Sequence, residues 1–242
     1  HPVSSILHQV LALRILFTTY LCSMNFWPSV FTLFKKDLVF EWRQKYAISG
    51  ILLYMLCIVF IIFITFNEMR GPVWVVLFWI VILFTAVNAV AKSFLQESPG
   101  RQLYYYTLAS PHAIILAKIF YNICVMVFLS AIALLFYSIT CGFPVVDNAS
   151  FLLALLLGSI AFATTFSMIS AIASKASNSG TLMAILSFPM LIPIIIILIR
   201  ISLNAVQQNN LAINASDLLY LLGINVLIVA MALILFPYLW RD

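Results

Sequence analysis

Six long stretches of this chain are nearly free of charge, and they constrain its fold more than any other feature. They fall at about residues 47–66, 73–91, 113–141, 151–173, 181–202 and 218–239. A helix needs roughly 20 apolar residues to cross the hydrocarbon core of a bilayer. Lipid offers the backbone no water to bond, so such stretches close their hydrogen bonds internally as helices. The third is long enough to tilt or to project beyond the bilayer. Composition agrees: 65% of the residues are hydrophobic and 8% charged, with a mean hydropathy of +1.16. A soluble domain carries roughly 25% charged residues, and a soluble fold of this size could not cover so much apolar surface. The expectation is an all-α integral membrane protein of about six transmembrane helices in one membrane domain.

Residues 31–46 (FTLFKKDLVFEWRQKY) have a different pattern. Phe31, Phe34, Leu38, Trp42 and Tyr46 recur at spacings of three and four, and Lys35, Lys36, Asp37, Glu41, Arg43 and Lys45 fill the rest. Glu41 and Lys45 form an i,i+4 pair. The segment reads as an amphipathic helix in the membrane interface, its basic side toward anionic head groups. A solvated helix packed on protein is the alternative. Residues 1–23 are apolar around a single charge, Arg14. They are expected to be an N-terminal extension, with the start at Met24 and the membrane domain over 24–242. A signal-like stretch or an additional span, since 15–34 are uncharged, are the competing expectations.

The positive charges orient the chain. Lys35, Lys36, Arg43 and Lys45 precede the first span, Lys92 and Arg101 lie between the second and third, Lys175 between the fourth and fifth, and Arg241 near the end. Lys118 sits near the start of the third span. All fall on one side if both termini are cytoplasmic. The other side keeps Arg70, beside Glu68, and Arg200, and its last two loops carry Asp147 and Asp217 without a lysine.

Several functions are disfavoured by what the spans lack. Proton relays and ion paths need ionisable groups at membrane depth, and none lies deep in these spans. The same absence argues against intramembrane proteolysis. There is no GxxxxGK[ST] for a nucleotide and no HExxH. The four cysteines have no metal or redox spacing. The formal charge of +5 is spread without a dense basic patch, so nucleic acid is not an expected partner.

Particular residues remain. His112 follows Ser110, a candidate N-cap, and Pro111, a candidate first helical residue, so it reads as part of a helix start rather than as a haem or metal ligand. Pro189 and Pro193 interrupt the fifth span, where each removes a backbone donor. They should kink or partly break it, as a hinge or as a static bend. Ser159, Ala163, Ser167 and Ala171, four apart on the fourth span, let another helix approach closely. That stripe suits packing within the chain first and a dimer face second. Asn88, Asn122 and Asn225 should bond between helices. The segment 92–112 (KSFLQESPGRQLYYYTLASPH) is polar at its start, turns at Pro99-Gly100, and carries three tyrosines suited to a membrane interface.

Two stretches resemble the cytochrome c maturation protein B family, also called haem exporter protein B. In FLQESPGRQLYYYTLASPHAIILAKIFYN, the residues matching the family pattern are Glu97, Gly100, Leu103, Pro111, Leu116, Ala117 and Lys118. In SGTLMAILSFPMLIPIIIIL, the paired prolines match Pro189 and Pro193. The resemblance covers residues 24–242. It implies an ABC-2-like permease architecture and a permease subunit of an ABC transporter for cytochrome c biogenesis. ATP would act through a separate ATPase, maturation protein A, and haem would be cargo rather than a directly bound cofactor. Maturation proteins C, D and E would be neighbours, permease subunits would pair as a homodimer, and the setting would be the bacterial inner membrane with both termini cytoplasmic. The implied ATPase-coupling loop is Glu97, Ser98, Pro99, Gly100 and Arg101, and the implied hinge is Pro189 with Pro193. The tryptophan-rich haem-handling motif of the C protein is absent. An ABC-2-type exporter permease for lipid, polysaccharide or drug, and a non-transport scaffold, are the rival expectations.

Overall fold

The computed structural model describes residues 26–43, 45–66, 69–90, 111–174, 179–207 and 211–239. Among these residues there are seven helices and no strand. We number them α1 (Phe26–Arg43), α2 (Lys45–Thr65), α3 (Gly71–Ala89), α4 (Pro111–Cys141), α5 (Asn148–Ala173), α6 (Ser179–Gln207) and α7 (Leu211–Leu239). The fold is that of an all-α membrane protein. Helices α3 to α7 are each long and apolar enough to cross a bilayer, and α2 adds the apolar run Ser49–Thr65. At 1.5 Å per residue α2 rises about 30 Å and α4 about 46 Å, so α4 is long enough to project from the hydrocarbon core.

The helix ends follow local chemistry. Pro72 occupies the first turn of α3, where its missing donor costs nothing. Pro111 opens α4, as its position after Ser110 predicts. α5 starts three residues before the apolar run at 151, because Asp147 caps it: its carboxylate accepts from the Ser150 amide at 3.2 Å. Gly142, at φ +75°, ends α4 in the left-handed conformation that glycine adopts without strain. One boundary differs from the sequence reading. The amphipathic helix ends at Arg43 and α2 begins at Lys45, so Glu41 and Lys45, anticipated as an i,i+4 pair on one helix, fall in different elements, and Tyr46 belongs to α2.

α5 is the central helix and packs on α4, α6 and α7. Ser159, Ala163, Ser167 and Ala171 are all buried, so the small-residue stripe serves packing within the chain. Two hydrogen bonds fix its register against α4: Ser159 donates to Ser130 at 2.8 Å and Asn122 donates to Ser167 at 2.7 Å. The pairs lie about two turns apart on both helices, which makes α4 and α5 antiparallel. Asn225 of α7 donates to the Leu157 carbonyl of α5 at 3.3 Å. Asn88 departs from expectation and bonds the Phe84 carbonyl of its own helix at 2.9 Å. That carbonyl is the acceptor an asparagine side chain reaches first on a helix surface.

The other contacts continue the antiparallel order. Trp79 of α3 donates to Ser202 of α6 at 2.9 Å, and Asn204 of α6 donates to Asn214 of α7 at 3.1 Å. Gly158 lies where α5 meets α3 and α6. A Cβ there would come within 2.9 Å of both the Trp79 ring and a Leu198 methyl. The close approach therefore depends on having no side chain.

Candidate functional site

The alternation of helix directions gives the bundle two ends. The ends of α3 and α5 and the starts of α4 and α6 lie together, next to α1. The 142–147 turn lies at the other. The expected coupling residues Glu97, Ser98, Pro99, Gly100 and Arg101 fall outside the described residues, as does the start at Met24. What the structure does show is their frame: Val90 closing α3, Pro111 opening α4, and α1 docked beside that opening.

α1 docks through a patch separate from the main core. Val30 is buried against Ala113 and Ala117 of α4, with Leu33 and Leu116 packed around them. Two alanines let the backbones come close. The apolar stripe read from sequence does not face this patch: Phe31 is 69% exposed and Leu38 44% exposed. α1 thus has three faces where the periodicity predicts two. One packs on α4, one presents apolar side chains outward with Lys35 at its edge, and one, between them, carries Lys36. Packing on protein is part of the arrangement, and it leaves the apolar side chains of Phe31 and Leu38 outward. His112 is exposed in the first turn of α4.

The opposite end is held by a buried aromatic cluster with satisfied polar atoms. Trp74, fully buried, donates to the Gly142 carbonyl at 3.0 Å, and Tyr137 donates to the Trp74 carbonyl at 3.2 Å. Phe78 stacks on Trp74 with centroids 5.5 Å apart, and Phe151 meets the same ring at 5.7 Å. The amides of Val146 and Asp147 both donate to the Ala205 carbonyl, at 3.0 and 2.9 Å. Arg200 and Asp217 form an ion pair of 3.5 Å between α6 and α7. Asp217 is nearly buried and Arg200 mostly exposed, so the pair is worth little beyond orientation. Sequence reasoning passed over this aromatic cluster. Its signal was Trp74 and Tyr137 themselves, whose polar ring atoms need partners when buried.

Pro189 and Pro193 both lie inside α6, which continues through them. They share an exposed face with Ile185, Phe188, Ile192 and Ile196. Without its N–H, Pro189 leaves the Ile185 carbonyl without its helical donor, and Pro193 does the same to the Pro189 carbonyl. The opposite face, with Leu191, Ile194, Leu198 and Ile201, is buried in the core. Packing on that side keeps the helix continuous. The weakened backbone thus faces outward, away from the helix contacts. A groove of about 500 Å³ on the outer surface of α4, lined by Leu134, Leu135, Ser138 and Phe143 among others, is apolar and open to the surroundings.

A bundle of long apolar helices with a small polar seam at its centre and an amphipathic helix at one end is a multi-pass integral membrane protein. The CcmB protein family matches residues 28–238, and the chain belongs to that family. Membership makes it a haem-exporter permease subunit of cytochrome c maturation, a transporter membrane subunit rather than an enzyme. No curated protein matches it.

Proposed function

We propose that the chain is driven by a separate ATPase subunit, maturation protein A, and that it converts nucleotide hydrolysis into haem delivery or into release of a haem-loaded chaperone beyond the membrane. The observation that carries this reading is the family match, which runs through both 97–101 and the proline pair, in a sequence without a P-loop. A permease subunit of an ABC transporter takes its work from a separate ATPase subunit, which is consistent with the missing P-loop. The receiving surface comprises the loop Glu97–Arg101 and α1. Closure of the ATPase displaces the starts of α4 and α6, and α6 bends at Pro189 and Pro193, where two backbone hydrogen bonds are missing. Haem is cargo, ATP acts through the partner, and the C, D and E proteins are neighbours. Two copies pair around the ATPase, and both termini lie on the cytoplasmic side of the inner membrane.

The test is an affinity purification of the tagged chain from its native membrane, followed by substitution of the loop. Maturation protein A should co-purify together with C and D. Glu97→Ala and Gly100→Val should leave membrane insertion intact and keep the partner's ATPase activity, while abolishing cytochrome c maturation. Normal maturation in both variants would remove the loop from the mechanism. Cysteines placed at Lys92 and Lys175 should label from the same face of the membrane. Labelling from opposite faces would overturn the topology.

A further inference from the structure

The two adjacent lysines of α1 occupy different environments. At 100° per residue, Lys35 lies roughly 40° from Phe31 and roughly 60° from Leu38 around the helix. Both of those side chains point outward, at 69% and 44% exposure. Lys35 is itself exposed. Its ammonium therefore rises directly beside an apolar surface that only lipid or another apolar body can cover. Lys36 lies roughly 140° from Phe31, away from the stripe, and its ammonium sits 2.8 Å from the Asp37 carboxylate. Asp37 is half-buried beside Val30 and Leu33 on the face that docks against α4. One cation is paired toward the protein. The other flanks the apolar face.

We propose that Lys35, bracketed by Phe31 and Leu38, is an anionic-phospholipid site, in which the two apolar side chains enter the acyl boundary and the ammonium holds a headgroup phosphate. An amphipathic helix binds a bilayer surface through buried apolar area plus attraction to anionic lipid. A lysine beside the apolar stripe buries its stem along it and reaches the phosphate layer with its head. Val39, 48% exposed and next around the helix after Lys35, widens the apolar floor on the far side of the lysine. The site depends only on the chain being embedded in lipid, so it stands or falls apart from the transport reading.

The full-length chain, reconstituted in nanodiscs of equal phosphatidylglycerol and phosphatidylethanolamine and then extracted gently, is assayed by mass spectrometry for the lipid it retains. The wild-type chain should retain phosphatidylglycerol preferentially, and raised salt should weaken that preference. Lys35→Gln should cut the enrichment about fivefold, the effect of one lysine at an anionic surface. Lys36→Gln should leave it nearly unchanged, and Lys35→Arg should restore it. Equal losses from the two glutamine variants, or no enrichment in the wild type, would overturn the site. So would a spin label at Leu38→Cys that is shielded from lipid-soluble oxygen in the assembled complex, since a protein neighbour would then cover the stripe.

Discussion

At the end of the bundle that carries the 142–147 turn, α3, α4, α5 and α6 are joined by hydrogen bonds from Trp74, Tyr137, Val146 and Asp147. At the end that carries α1, the docking patch is Val30 on Ala113 and Ala117. Among the described residues the difference is one of material. Buried rings with satisfied polar atoms permit few alternative packings. The contact of Val30 and Leu33 with Ala113, Leu116 and Ala117 is aliphatic, and burial of this kind is non-directional. The proposed coupling to an ATPase would use such an asymmetry, with one end able to shift while the other holds the helices in register. The weakened stretch of α6 fits the same scheme, because Pro189 and Pro193 lie between Ser179 at the first end and Gln207 at the second.

The comparison can be broken most directly at Trp74. Trp74→Ala should destabilise the protein in detergent by about 3–5 kcal/mol, read as a large loss in thermal unfolding temperature. A loss no greater than that of an exposed aromatic such as Phe128 would mean that the 142–147 end is not the rigid one. Gly158→Ala comes next, at roughly 1–3 kcal/mol. The added methyl meets the Trp79 ring, which is anchored through Ser202 and cannot turn aside. Gly223→Ala is its control, because nothing lies within 4 Å of a Cβ there. That variant should be neutral or slightly stabilising.

Asn122→Ala should cost about 0.6–1.7 kcal/mol, the range for hydrogen bonds between membrane helices. Combined with Ser167→Ala it should cost less than the two singles together, since both remove the same bond. Strict additivity would show that the α4–α5 seam does not depend on that pair. The last effect on stability belongs to the other end. Ala113 is fully buried, so Ala113→Leu should cost roughly 1 kcal/mol, the low end for an overpacked site, because α1 can move off the enlarged side chain. A cysteine at Val30 should nevertheless become much more reactive in that variant. A large drop in stability with no gain in reactivity would show that α1 is as firmly fixed as the aromatic end.

The solvent of the fold was written in the sequence. Stretches of twenty or more uncharged residues admit helices in lipid and little else, and Pro111 after Ser110 marks a helix start through chemistry that acts within one turn, whereas the cap at Asp147 emerged only from the structure. The stripe from Ser159 to Ala171 was legible as a close-packing face for the same reason: side-chain size acts at fixed helical spacing. The partners of these features were not legible. That Ser159 meets Ser130 while Asn88 bonds its own helix, that Trp74 gathers Tyr137, Phe78 and Phe151, and that the stripe of α1 turns outward while Val30 docks, all depend on how helices distant in sequence are rotated about their axes. Periodicity gives each helix its faces, but only packing against the others chooses which face is covered, because in lipid an apolar side chain is equally well placed on the inside or the outside.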